Sequence, residues 1–159
     1  DGATSTLQNP GHAYAAAGTY PVTLTVTDDD GATGTTSKQV TVVDPTQTVH
    51  VGDLDGIGVK SLSKWKAIVT ALVHNNEHSP VGGATLSGTW KVGSSSYSGS
   101  CTTGSTGTCQ ITRDKIGTKV TSVTFTVTGI TSSGNLFAPA SNHDPDGDSN
   151  GTVITIRKP

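Results

Sequence analysis

Tyr20, Val22, Leu24 and Val26 alternate with Thr19, Pro21, Thr23, Thr25 and Thr27, and this period of two decides the class of fold. Successive side chains of a strand point to opposite faces, so the first set is predicted to face a core and the threonines to face water. Asp28-Asp29-Asp30-Gly31 then reads as a hairpin turn, and a return strand carries Val40 and Val42 inward. The alternation recurs at Trp65, Ala67, Val69, Ala71 and Val73, at Ala84, Leu86, Trp90 and Val92 with Gly88 in the series, and at Val123, Phe125 and Val127. Thr, Val and Ser in short alternating runs, punctuated by 20 glycines and with no methionine, make an all-β chain. A single helical turn at Arg113-Asp114-Lys115-Ile116 is the one exception expected.

A chain of 159 residues holds one or two domains. Asp44-Pro45-Thr46 reads as a short linker, Pro45 stopping the strand before it. The boundary therefore falls between residues 1–44 and residues 45–159. The second part opens at Val49 and Val51, is expected to break at Gly52-Asp53-Leu54-Asp55-Gly56, and closes with a strand from Val153 to Ile156. Seven or so short strands separated by turn signals favour an Ig-like sandwich. In such a fold the first strand commonly runs beside the last, so Asp53 and Asp55 are expected to meet the loop before that final strand.

A net charge of −2 offers no basic field for nucleic acid and no polybasic patch for a membrane surface. No apolar run approaches the length that spans a bilayer, so membrane insertion is not expected. There is no signal peptide at Asp1: either it has been removed or the sequence is an internal piece of a longer chain. Cys101 and Cys109 frame a Gly-rich stretch and are predicted to form a disulfide across a hairpin, which implies an oxidising, extracytoplasmic setting. Two free thiols in a cytosolic protein are the alternative.

The chemistry concentrates in Asn142-His143-Asp144-Pro145-Asp146-Gly147-Asp148-Ser149-Asn150-Gly151-Thr152. Asp144, Asp146, Asp148 and Asn150 stand at alternating positions and suit a hard cation such as Ca2+. The spacing follows the opening of an EF-hand loop, but Gly151 comes one step late and the closing Glu is missing. Asp53 and Asp55 are candidates for the same site, in which calcium would clip distant parts of the chain together. The alternative is a solvated Asp/Gly turn. Asn150-Gly151-Thr152 is formally a glycosylation sequon, though Asn150 is read here as a cation ligand.

Other chemistry is weaker. His74-Asn75-Asn76-Glu77-His78 fits the zinc motif H-x-x-E-H, which needs both imidazoles on one face of a helix. Here His74 ends a strand and Pro80 follows closely, so the two rings are not expected to converge and a solvated turn is expected instead. His12 is read as packing beside Tyr14. His143 either orients the acidic loop as a donor or is a plain surface histidine. No nucleophile elbow is present, and the clustered carboxylates do not flank a cleft, so the chain is not expected to be an enzyme. Trp65 and Trp90 fall in phase with core residues, whereas Tyr97 is the better surface candidate. No binding residues are assigned beyond these.

Asn9-Pro10-Gly11-His12-Ala13-Tyr14, Gly18-Thr19-Tyr20 and Val22-Thr23-Leu24-Thr25-Val26-Thr27-Asp28, following Asp1-Gly2, resemble the second half of a PKD domain. That family has an Ig-like β-sandwich fold, so the resemblance implies a first domain lacking its N-terminal strands. Val49-His50-Val51-Gly52-Asp53-Leu54-Asp55-Gly56, the two cysteines, Val123 to Val127 and the acidic loop resemble an Ig-like module found at the C-terminal ends of secreted bacterial proteins, including subtilisin-like proteases. The expected fold is two Ig-like β-sandwich domains in tandem. The resemblances imply a non-catalytic, calcium-stabilised accessory or binding region of a secreted bacterial protein, extracellular or at the cell surface. Its partner would be an insoluble polysaccharide or protein substrate. The alternative is a structural subunit of a stalk, adhesin or filament, which self-associates through unpaired strand edges.

Overall fold

The computed structural model describes residues 1–44 and 47–159, so Pro45 and Thr46 of the expected linker lie outside the described residues. The chain separates into two compact units, Asp1–Pro45 and Thr46–Pro159.

The first unit is one antiparallel hairpin of β1 (Gly18–Thr27) and β2 (Thr33–Val42), with Tyr20 opposite Val40 and Val26 opposite Gly34. Its turn is built as the aspartates dictate: the Asp28 carboxylate accepts the N–H groups of Asp30 and Ala32, and Gly31 takes a positive φ of 84°. Tyr14 stacks on Tyr20 with centroids 4.4 Å apart, and His12 meets Tyr14 edge-on at 4.6 Å. The alternating row does not face a core. Val22, Leu24 and Val26 are 45%, 59% and 60% exposed, because two strands supply no second layer to cover them.

The second unit is a β-sandwich. Its strands are β3 (Thr48–Ser61), β4 (Lys64–Asn75), β5 (Thr85–Val92), β6 (Ser95–Thr102), β7 (Thr108–Gly117), β8 (Ser122–Thr131), β9 (Leu136–Phe137) and β10 (Val153–Arg157). A single 3-10 turn, Pro139–Ser141, follows β9. One sheet has the order β7-β4-β3-β9 and the other β10-β8-β5-β6. The chain switches sheet after β4 and again after each of β6, β7, β8 and β9, a Greek-key pattern of the Ig-like kind. Trp65, Trp90, Phe125, Leu54, Leu86, Ile154 and Ile156 fill the space between the sheets. The Trp65 indole N–H donates to the Val120 carbonyl. Tyr97 stays partly exposed, with the Arg113 guanidinium 3.6 Å above its ring.

Four expectations change. First, β3 does not break at residues 52–56; it runs on through a bulge between Val51 and Asp53. Second, the cysteines do not close a hairpin. Cys101 lies in β6 and Cys109 in β7, strands of opposite sheets, so their disulfide staples the two layers of the sandwich. Third, Arg113 to Ile116 belong to β7, where a register shift opposite Trp65 and Ala67 is absorbed by Lys115 at a φ of 58°, so no helical turn forms. Fourth, β3 does not pair with β10; β4 and β9 flank it, and β10 lies in the other sheet.

The bulge has the largest consequence. Before it, Val49 and Val51 point into the core; after it, Leu54 does. One extra residue shifts the parity of the strand. His50, opposite His74, therefore shares the outer face of the sheet with Asp53, opposite Leu72, and Asp55, opposite Thr70.

Candidate cation sites

The segment after β8 follows the free edge of β3. Leu136 and Ala138 donate their N–H groups to the carbonyls of Gln47 and Val49, both at 2.9 Å. Val51 then takes two bonds: its N–H goes to Asn142 Oδ1 at 2.8 Å, and its carbonyl accepts the His143 N–H at 3.0 Å. Asn142 Nδ2 donates onward to Thr152 Oγ1, tying the start of the acidic loop to its end. Gly151, at a φ of 72°, closes the loop tightly enough that a Cβ there would lie 2.5 Å from the His143 carbonyl oxygen. The loop is thus anchored beside the bulge, and its side chains meet the outer face of β3.

Below the anchor the carboxylates gather. One oxygen each from Asp53, Asp55 and Asp146 lie within 4.8 Å of one another, and so do those of Asp144, Asp146 and Asp148. Asp146 belongs to both triads. Two ligands of one calcium ion stand at most about 5 Å apart, twice a Ca–O distance of roughly 2.3–2.6 Å, so either triad has the span of a calcium site. Burial raises the Asp53 carboxyl above the ordinary value, and Asp55, Asp144 and Asp146 add repulsion; the Leu54 N–H opposes this. Asp148 is raised by burial and by Asp146, Asp144 and Asp55, against a hydrogen bond from the Gly56 N–H. Asp144 moves the other way. Burial works against its charge, but hydrogen bonds with Ser149, Asp146 and Gly147 hold it below the usual range.

Asn150 caps the end of the loop. Its Oδ1 accepts the N–H groups of Thr152 and Val153 at 3.0 and 2.7 Å, so its lone pairs are spent on the turn into β10. In this arrangement it shapes the turn into β10.

Above the anchor lies a group of four histidines, among them His74 and His78, which were not expected to converge. His50, His74, His78 and His143 each offer a ring nitrogen within 4.8 Å of all the others. All six centroid separations fall between 5.1 and 6.0 Å. His50 and His74 are a cross-strand pair on β3 and β4. His78 comes from the turn that follows, where Asn75 Oδ1 accepts the N–H groups of Glu77 and Ser79 and His78 itself is held at a φ of 59°. His143 is brought by the Val51 anchor, with Nδ1 3.1 Å from the Ser141 carbonyl. The expectation that His74 and His78 do not converge is therefore corrected: a sharp Asx-type turn folds His78 back over the strand end, which needs no helix.

The bulge makes room for the rings. A Cβ on Gly52 would fall 2.2 Å from His74 Nδ1, so no other residue fits there with His74 in place. His50 is 2% exposed, and neither of its ring nitrogens has a hydrogen-bond partner among the described residues; His74 Nδ1 is likewise buried and unpartnered. Burial first, and then the neighbouring imidazoles, lower the basicity of both rings, favouring the neutral, electron-donating form. The sequence signal that could have found His50 was a histidine among buried valines beside a Gly-Asp pair.

Residues 1–43 match the family model described as PKD domain. No solved structure matches the chain. PKD domains are generally non-catalytic and typically extracellular. Among the described residues no helix is long and apolar enough to cross a membrane.

Proposed function

We propose that the chain is a non-catalytic extracellular accessory or binding region of a secreted bacterial protein, with a second unit stabilised by calcium. The PKD match supports the accessory reading, and the disulfide fits an oxidising exterior. The observation that carries the calcium reading is the meeting of Asp53 and Asp55 with Asp146, carboxylates that come from opposite ends of the second unit. Like charges at about 4 Å repel by roughly 1 kcal/mol per pair in water and about 4 kcal/mol near a protein surface, so a cation among them reverses the sign of the interaction. Calcium would then act as a clip between β3 and the loop before β10. As an appendage, the region would hold a tethered hydrolase, such as a subtilisin-like protease, at an insoluble polysaccharide or protein substrate.

Thermal unfolding with calcium and then with EGTA tests the clip. At a calcium concentration 100-fold above the dissociation constant the stabilisation is about 2.7 kcal/mol, and an unchanged midpoint would sink the proposal. Adsorption of the untagged chain to cellulose, chitin or collagen tests the accessory role.

A second reading is favoured by the exposed row Val22, Leu24 and Val26 on the β1–β2 hairpin. In a stalk, adhesin or filament, strands of a neighbouring subunit would cover that row and complete the sheet. Light scattering separates the two readings: concentration-dependent polymers favour the structural subunit, and monomers that adsorb favour the accessory region.

A further inference from the structure

We infer that His50, His74, His78 and His143 form a tetrahedral zinc site, separate from the carboxylate cluster. The argument begins with geometry. In a tetrahedral complex with Zn–N of about 2.0–2.1 Å, ring centroids lie roughly 3.2 Å from the metal and about 5.2 Å from one another. The six observed separations, 5.1 to 6.0 Å, surround that figure. The donor nitrogens need to draw in from at most 4.8 Å to about 3.4 Å, within reach of small side-chain rotations.

The second support is the state of the donors. A buried imidazole with no hydrogen bond at either nitrogen is costly, and such groups in native proteins have a reason. His50 is that group, and its ring faces the other three. His143 is already oriented for ligation: with Nδ1–H donating to the Ser141 carbonyl, Nε2 is the free lone pair, an arrangement typical of ligating histidines. The left-handed backbone of His78 and the glycine at position 52 are both local concessions that serve ring placement.

Donor chemistry then selects the metal. Four neutral imidazoles suit zinc, copper and nickel and are poor ligands for calcium. A tetrahedral disposition favours zinc over the square-planar preference of Cu(II) and Ni(II). Four protein ligands leave no open position, so the ion is structural rather than catalytic. It joins β3, β4, the turn after β4 and the loop before β10, and Asp144, next to His143, supplies nearby negative charge.

The test is calorimetric titration of the untagged full chain, held in excess calcium, with zinc chloride. Cobalt(II) substitution reports the geometry through the strong visible bands of a tetrahedral complex. The expected result is one zinc per chain and a tetrahedral cobalt spectrum. His78→Ala, at an exposed turn, should weaken binding by at least roughly tenfold, and His50→Gln should do the same. His12→Ala, in the first unit, should bind as the wild type does. If His50→Gln fails to fold, His78→Ala and His143→Ala decide the matter. Absence of zinc binding, undiminished affinity in His78→Ala and His143→Ala, or an octahedral cobalt spectrum would overturn the assignment.

Discussion

Four imidazoles and five carboxylates occupy the same outer face of β3, one group on each side of the Gly52 bulge, and a single loop serves both. His143 ends the anchored part of that loop, and Asp144 begins the acidic part. The two groups differ in every property that matters for a cation. The imidazoles converge from four separate chain positions and include a ring that is almost wholly buried. The carboxylates are more exposed and share their oxygens with backbone N–H groups of Leu54, Gly147, Asp148 and Ser149. His50 and His74 Nδ1 are buried without hydrogen bonds, which suits imidazole donors to the borderline metal proposed above, whereas crowded carboxylates suit the hard cation of the proposed clip. Neighbouring patches of one strand can therefore differ in metal preference through donor type alone.

The disulfide gives the largest perturbation, and one that should spare this contrast. Cys101→Ser with Cys109→Ser removes the staple between the sheets and should lower stability by about 2–3 kcal/mol, a fall in midpoint on the order of 10 °C. Calcium and zinc should still each raise the midpoint of that variant; loss of both responses would mean that the cation sites depend on the staple.

Gly52→Val separates the two groups. Its side chain would collide with the His74 ring, costing roughly 1–3 kcal/mol through overpacking. Zinc titration should show the site lost, while the calcium-induced rise in midpoint persists. Zinc affinity equal to the wild type would contradict the placement of His74.

Asp146→Asn works on the other side. It removes the carboxylate common to both triads. In calcium the variant should be less stable than the wild type; in EGTA it should be equal or more stable by about 1 kcal/mol, because a like charge has gone. Paired melting curves check the change of sign, and zinc binding should be unaffected.

The smallest effect is that of pH on the chelated protein. His50 and His74 have basicity lowered by burial and by their neighbours, so the unfolded chain binds more protons than the folded one as pH falls below 6.5. Their stability contribution is present above that value and is lost as pH falls through the depressed folded values. Asp53 and Asp148 are raised, so their contribution has the opposite sense: it is present below 3.8 and is lost as pH rises through the folded values. Urea denaturation at a series of pH values should show the acid-side loss below 6.5 in the wild type and a flatter curve in His50→Gln.

Much of the fold could be read directly from the chain. The all-β class, the buried Trp65 and Trp90, the Asp28 turn and the disulfide followed from alternation, turn chemistry and cysteine pairing. The candidate sites were legible only in part, and the bulge is the reason. His50 and Asp53 have opposite parity in the sequence, so an unbroken strand would have pointed them to opposite faces; one extra residue at Gly52 puts them on the same face. The motif at His74 to His78 was rejected because it was tested against a helix, whereas an Asn75 turn brings the rings together by another route. The turn-capping bonds of Asn150 could not be read from spacing, because an amide can ligate a cation or cap a turn. Alternation places Val22, Leu24 and Val26 on one face but does not say what covers it, and a domain lacking its N-terminal strands leaves that face open.

X-ray absorption at the zinc edge, on untagged protein carrying one zinc per chain in excess calcium, tests most directly whether one strand face sorts two cations by donor type. The expected spectrum has four nitrogen neighbours at about 2.0–2.1 Å with the outer-shell scattering of imidazole rings. Oxygen neighbours, or six-coordinate zinc without imidazole scattering, would place the metal among the carboxylates and contradict the division of the β3 face.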